Sequence, residues 1–234
     1  AAWGQMIPSF FEPGKVAIAN YAESGESLSS FISERRLAKE LSLMKSGDYA
    51  FIQFGHNDQK QKGDGIGAFT SFKRDLKYFI AEVKKKGAIP VLVTSMQRRS
   101  FDSAGKIMET LGDYPDAVRQ TAIEEGVSFI DLNKMSKLMY EAWGPAKSIK
   151  AFVHFPANTF PGQKTELKDD THFTPFGAYQ IAKIIVTGIR DNKLGIAQYI
   201  KPGTPQFDPA KPDNFSSFYW PYSPSATSVK PDGN

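Results

Sequence analysis

The sequence contains no cysteine, which excludes a thiol nucleophile, a disulfide framework and any Cys-ligated zinc. Histidine is scarce, with three in 234 residues, so each imidazole is a candidate for proton-transfer chemistry. No apolar run approaches the roughly 18 residues needed to span a bilayer; the longest, residues 88–93 and 181–189, are the size of core elements. Charge of one sign is not concentrated anywhere. The net charge is +4 with Lys and Arg dispersed, so neither a nucleic-acid partner nor a membrane partner is expected. An export signal is also lacking, but the chain opens on Ala1-Ala2-Trp3 rather than methionine, which reads as a processed or trimmed N-terminus.

What is present is ordinary for a globular protein, with 41% hydrophobic and 23% charged residues, and long enough for one large α/β domain. Short β-rich runs alternate with longer helical patterns, the signature of a mostly parallel sheet with crossover helices. Strands are predicted over residues 16–20, 49–54, 89–94 and 127–132. Helices are predicted over 28–44, 69–86, 114–125, 134–143 and 176–191, with Ser27 as an N-cap and Gly87 at a C-terminal cap position. From Lys201 the texture changes: seven prolines fall among the last 34 residues, between Phe207, Phe215, Phe218, Tyr219, Trp220 and Tyr222. Such prolines exclude regular helix or central strand. The expected organisation is a domain over residues 1–200 and a Pro/aromatic-rich extension over 201–234, laid over the domain or leading to another module.

Two segments carry chemistry. In Lys168-Asp169-Asp170-Thr171-His172-Phe173 a carboxylate precedes a histidine by three residues, just ahead of a helical pattern. A neutral imidazole can deprotonate a hydroxyl nucleophile, and a carboxylate can fix its tautomer. Gly55-His56-Asn57-Asp58 follows a predicted strand, where ligands gather in an open parallel sheet, and an Asn amide there can donate to a developing oxyanion. Asn20 through Ser27 occupies the equivalent place after the first predicted strand, and the Gly25 backbone N–H is a second possible donor. His154, in the apolar run Phe152-Val153-His154-Phe155-Pro156, reads as a packed, hydrogen-bonded histidine.

Together, Trp3-Gly4-Gln5-Met6, Asn20 through Ser27, Phe54 through Lys60 and Asp169 through Gly177 resemble the SGNH (GDSL-type) hydrolase family, in particular its rhamnogalacturonan acetylesterase-like branch. The resemblance implies a three-layer, flavodoxin-like α/β fold with a mostly parallel central sheet. It implies His172 as general base oriented by Asp169, with Gly25 N–H and the Asn57 side chain in the oxyanion hole. The resemblance also implies, by the family's Asp-x-x-His spacing, Asp169 over its neighbour Asp170. His56 would contact substrate or brace its loop. No metal or organic cofactor is implied.

One block of the family pattern is not there. A Gly-Asp-Ser motif at the end of a first, central strand should stand just before Trp3-Gly4, and the Gly-Asp pairs at 47–48, 63–64 and 112–113 are not followed by serine. Ser27 and Ser95 read as a helix cap and a strand-end residue. The pairing and burial lost with an unfilled central slot would exceed a domain's net stability of roughly 5–15 kcal/mol. The expectation is therefore that residues upstream of Ala1, or a further domain or chain, supply this strand and the nucleophilic serine. The expected function is a carbohydrate esterase that deacetylates plant cell-wall polysaccharide, pectic rhamnogalacturonan or a related glycan, in the periplasm or outside the cell. A catalytically inactive glycan-binding module and an SGNH lipase or thioesterase are the alternatives.

Overall fold

The computed structural model describes residues 1–221. Its centre is a parallel sheet of β1 (Tyr49–Ile52), β2 (Ile89–Val93) and β3 (Ser128–Ile130), in the order β1-β2-β3. The register sets Tyr49 against Ile89 and Val91 against Ser128. Successive strand residues face opposite sides, and both sides are apolar. Ala50, Ile52 and Leu92 pack with Leu28, Phe31, Leu76, Ile80 and Ala117 in one core. Val91, Val93 and Ile130 pack with Met139, Tyr140, Ile181 and Ile184 in the other.

Helices therefore cover both faces, as a parallel sheet requires. On the first side lie α2 (Leu28–Ser33), α3 (Arg36–Leu43), α4 (Lys73–Lys85) and α5 (Tyr114–Glu125). On the second lie α1 (Trp3–Met6), α6 (Leu132–Ser148) and α7 (Pro175–Asp191). This is the expected three-layer α/β arrangement. Ser27 caps α2 by accepting from Ser30 N at 3.1 Å, and Gly126 ends α5 in the left-handed conformation at φ 60°.

Two expectations are corrected. The strand predicted over residues 16–20 does not form: the segment has no regular structure, and Ile18 is 38% exposed. An extended run becomes a strand only with a ladder partner, and among the described residues β1 is hydrogen-bonded on its β2 side alone. The single helix predicted over 28–44 is two, broken at Arg35, which adopts φ 62°. Arg36 reaches back from the break to Glu23 at 3.7 Å, Glu26 at 3.3 Å and Glu34 at 3.4 Å. Asp169 and His172, to which no element was assigned from sequence, lie on β5 (Leu167–Phe173), antiparallel to β4 (Phe152–Phe155) in a separate two-stranded sheet.

Past residue 200 the chain lies against α7. Asp213 is the anchor: its carboxylate accepts from Gln180 Nε2 at 2.9 Å and pairs with Lys183, and its carbonyl accepts from Trp143 Nε1 at 3.0 Å. Phe215 and Phe218 pack edge-on to Phe176, each with ring centroids 5.4 Å away. The part of the predicted extension from 222 to 234, including Tyr222, falls outside the described residues.

Candidate active site

The Asp169–His172 pair is built by local backbone chemistry. Asp169 Oδ1 accepts from the backbone N–H groups of Thr171 at 2.7 Å and His172 at 2.9 Å. The other oxygen, Oδ2, lies 2.6 Å from His172 Nδ1. Burial pushes the Asp169 carboxyl up, but the bonds from the His172 and Thr171 backbone and the imidazole outweigh it, so its pKa is held below the ordinary value. An ionised Asp169 can only accept, so Nδ1 carries a hydrogen, and the neutral form of the ring has its lone pair at Nε2. The imidazole is 65% exposed, which leaves that nitrogen open to solvent or substrate.

Asp170 is taken out of competition. Its Oδ1 accepts from Arg99 Nη1 at 2.7 Å and lies 2.8 Å from His154 Nε2. His154 is thus the hydrogen-bonded, mostly buried histidine anticipated from its apolar surroundings.

At the carboxyl end of β1, Gly55 adopts φ 134°, a conformation open to glycine, and a Cβ there would meet Ser95 Oγ at 2.8 Å. The chain turns so that Asp58, 3% exposed, accepts from Gly55 N at 2.9 Å and Leu28 N at 2.8 Å. Asp58 therefore ties the β1 turn to the start of α2. Asn57 adds a second tie: its Nδ2 donates to Glu26 O at 3.0 Å, while its Oδ1 accepts from Lys60 Nζ at 2.8 Å. An amide nitrogen has two hydrogens, so one Asn57 N–H is left beyond the Glu26 bond. Gly25, at φ 91°, lies one residue from that carbonyl with open space where a side chain would be. The structure thus brings the Gly25 and Asn57 segments together.

His56 sits within this turn. Burial chiefly, then the Arg98 charge, lowers its pKa to about 4, against a hydrogen bond to the Met96 backbone. It is neutral at physiological pH. The two serines considered at strand and helix ends are both engaged: Ser95 donates to Phe54 O at 2.7 Å, and Ser27 caps α2. Among the described residues, no group of three or more His, Asp or Glu side chains is arranged to hold a metal ion.

Residue-by-residue reading passed over Asp58, Arg98 and Arg99. Asp58 was visible as the last residue of the Gly-His-Asn-Asp segment. The arginine pair follows β2 at the carboxyl edge of the sheet, a position that could have singled it out.

Residues 1–178 match the GDSL-like lipase/acylhydrolase family. The chain is 42% identical over 200 residues to rhamnogalacturonan acetylesterase RhgT of Bacillus subtilis (strain 168), an alignment covering 86% of this chain and 85% of that protein. It is 33% identical over 200 residues to the probable rhamnogalacturonan acetylesterase YesY of the same organism, covering 85% and 87%. The crystal structure of Bacillus subtilis YxiM superposes with a TM-score of 0.71 at 27% identity, over 83% of this chain and 51% of that one, so the chain spans about half of it. By the extent of the family match and the identity to its relatives, the chain belongs to the GDSL-like lipase/acylhydrolase family.

Proposed function

We propose that this chain forms the larger part of a carbohydrate acetylesterase acting on rhamnogalacturonan or a related acetylated glycan by serine–histidine–aspartate acyl transfer. The observation that carries the reading is the 2.6 Å Asp169–His172 contact, within a chain 42% identical to a rhamnogalacturonan acetylesterase. The nucleophilic serine is assigned to a strand-bearing segment that pairs with the outer edge of β1, beside the Gly25 and Asn57 segments.

In this mechanism the serine Oγ attacks the acetyl carbonyl carbon as His172 Nε2 takes its proton. The oxyanion of the tetrahedral intermediate accepts from Gly25 N–H and the second Asn57 amide hydrogen. Collapse expels the sugar alkoxide, which takes the proton back from His172, and leaves an acetyl-enzyme. Water, deprotonated by His172, then attacks this ester and releases acetate and the serine. Asp169 stays ionised throughout, holding the ring orientation and stabilising the imidazolium. His56, neutral and braced, contributes a substrate contact at the rim of the turn. A polymeric substrate of this kind places the enzyme in the periplasm or outside the cell, in pectin degradation.

The test is acetate release from acetylated rhamnogalacturonan by the full-length parent protein and its His172→Ala variant. Loss of a triad base lowers kcat by roughly 10⁴-fold or more. Release that is unchanged in the variant would remove His172 from the mechanism.

A further inference from the structure

The oxyanion turn and the general base stand on different sheets. Asn57 follows β1 of the parallel sheet, whereas His172 lies on the β4–β5 hairpin, which shares no ladder with it. A two-stranded hairpin is marginal by itself, and acyl transfer tolerates little error in the spacing of its groups. Something must hold the hairpin at a fixed distance from the turn.

We propose that Arg98 and Arg99 are positioning residues that set this distance, as two arms reaching in opposite directions from one rigid segment. Arg98 reaches the oxyanion turn: its Nη2 donates to His56 O at 3.2 Å, and its Nη1 donates to Thr110 O at 3.1 Å and Thr110 Oγ1 at 3.2 Å. Arg99 reaches the hairpin. Its backbone N–H donates to Asp170 O at 2.8 Å, and its Nη1 donates to Asp170 Oδ1 at 2.7 Å. The remaining guanidinium donors are fixed on α6, Nε to Ser148 Oγ at 3.0 Å and Nη2 to Pro145 O at 2.5 Å. Arg99 is the better buried partner, its side chain 13% exposed against 47% for Asp170.

The base of the two arms is anchored. Thr94 Oγ1 accepts from Asn133 N at 2.8 Å, Ser95 O accepts from Asn133 Nδ2 at 3.1 Å, and Gln97 N donates to Ser136 Oγ at 2.9 Å. Residues 94, 95 and 97 are buried. One guanidinium thus fixes the carbonyl preceding Asn57, and the next fixes the residue between Asp169 and His172. A planar fork with several fixed acceptors is a geometry that lysine does not reproduce.

The inference rests on reading His172 as the base, and the experiment separates the two. In the full-length parent protein, Arg99→Ala lowers kcat for acetate release by about 10–100-fold while KM moves less than about threefold. Arg99→Lys recovers only part of kcat, and added guanidinium restores part of it to Arg99→Ala. Amide hydrogen exchange accelerates over residues 152–173 in Arg99→Ala and over 55–61 in Arg98→Ala, while α4 keeps its protection. An unchanged kcat in Arg99→Ala, or exchange that rises evenly over the whole molecule, overturns the proposal. If His172→Ala retains full activity, the assignment of the base has failed. If it is inactive while Arg99→Ala is not impaired, the positioning role has failed.

Discussion

At the scale of single residues, two carboxylates next to one another in sequence have opposite partners. Asp169 turns to the His172 ring and its backbone, and Asp170 to Arg99 and His154. Sequence spacing pointed to the first, but the reason the second does not compete lies in residues 71 and 16 positions away. Asp58 is the other carboxylate on which local order depends. Each of its oxygens accepts from one backbone N–H, those of Leu28 and Gly55, in a buried setting. In Asp58→Asn the amide nitrogen would have to face one of these donors. We expect a loss of about 2–3 kcal/mol in chemical denaturation, the scale of a buried charge-assisted bond left unmade. An unchanged midpoint would show that the turn and α2 are held by other contacts.

At the scale of elements, the strands β1, β2 and β3 and the helices α4, α5 and α7 were legible because period and punctuation agree. Each strand is a short, largely apolar run packed between two helical layers, and Gly87 and Gly126 stand at helix ends in left-handed conformations. The hairpin was not legible. The segment Lys168-Asp169-Asp170-Thr171-His172 has little β propensity; it is extended because it pairs with β4 and is clamped by Arg99. Its junction with α7 is tight. Thr174 caps the helix, and a Cβ on Gly177 would lie 2.1 Å from Ala151 O and 2.8 Å from a Phe173 ring carbon. Phe173 ends the strand that carries His172 and Ala151 immediately precedes β4, so Gly177→Ala must push the hairpin away from α7. The expected cost is about 3 kcal/mol, at the upper end of overpacking penalties, read as a lower melting temperature together with reduced esterase kcat.

At the scale of the whole molecule, residues 201–221 pack along the α7 side of the domain. Asp213 joins α6 and α7 through Trp143, Gln180 and Lys183. Burial raises its pKa, but Lys183 and Gln180 outweigh this, and the carboxyl is held below its ordinary value. A depressed carboxylate pKa contributes stability above the unfolded-state value, and that contribution is lost as pH falls through the folded-state value. Asp213→Ala is therefore expected to cost about 1 kcal/mol at pH 7, discounted for partial solvent screening. The difference from the parent shrinks toward pH 3. An equal melting difference at pH 7 and pH 3 would exclude the ionised carboxylate as the source.

The sequence by itself determined the layered α/β class, the succession of its central strands and main helices, and the Asp-x-x-His and Gly-His-Asn-Asp segments. These follow from periodicity and from residue types whose chemistry is local. The tertiary structure decided what depends on distant partners. Residues 16–20 do not form a strand, because strand identity belongs to a pair and not to a segment. The helix over 28–44 breaks where Arg36 meets three glutamates. The turn that carries Asn57 and the hairpin that carries His172 are each bonded by one of two adjacent arginines, whose acceptors no sequence pattern names.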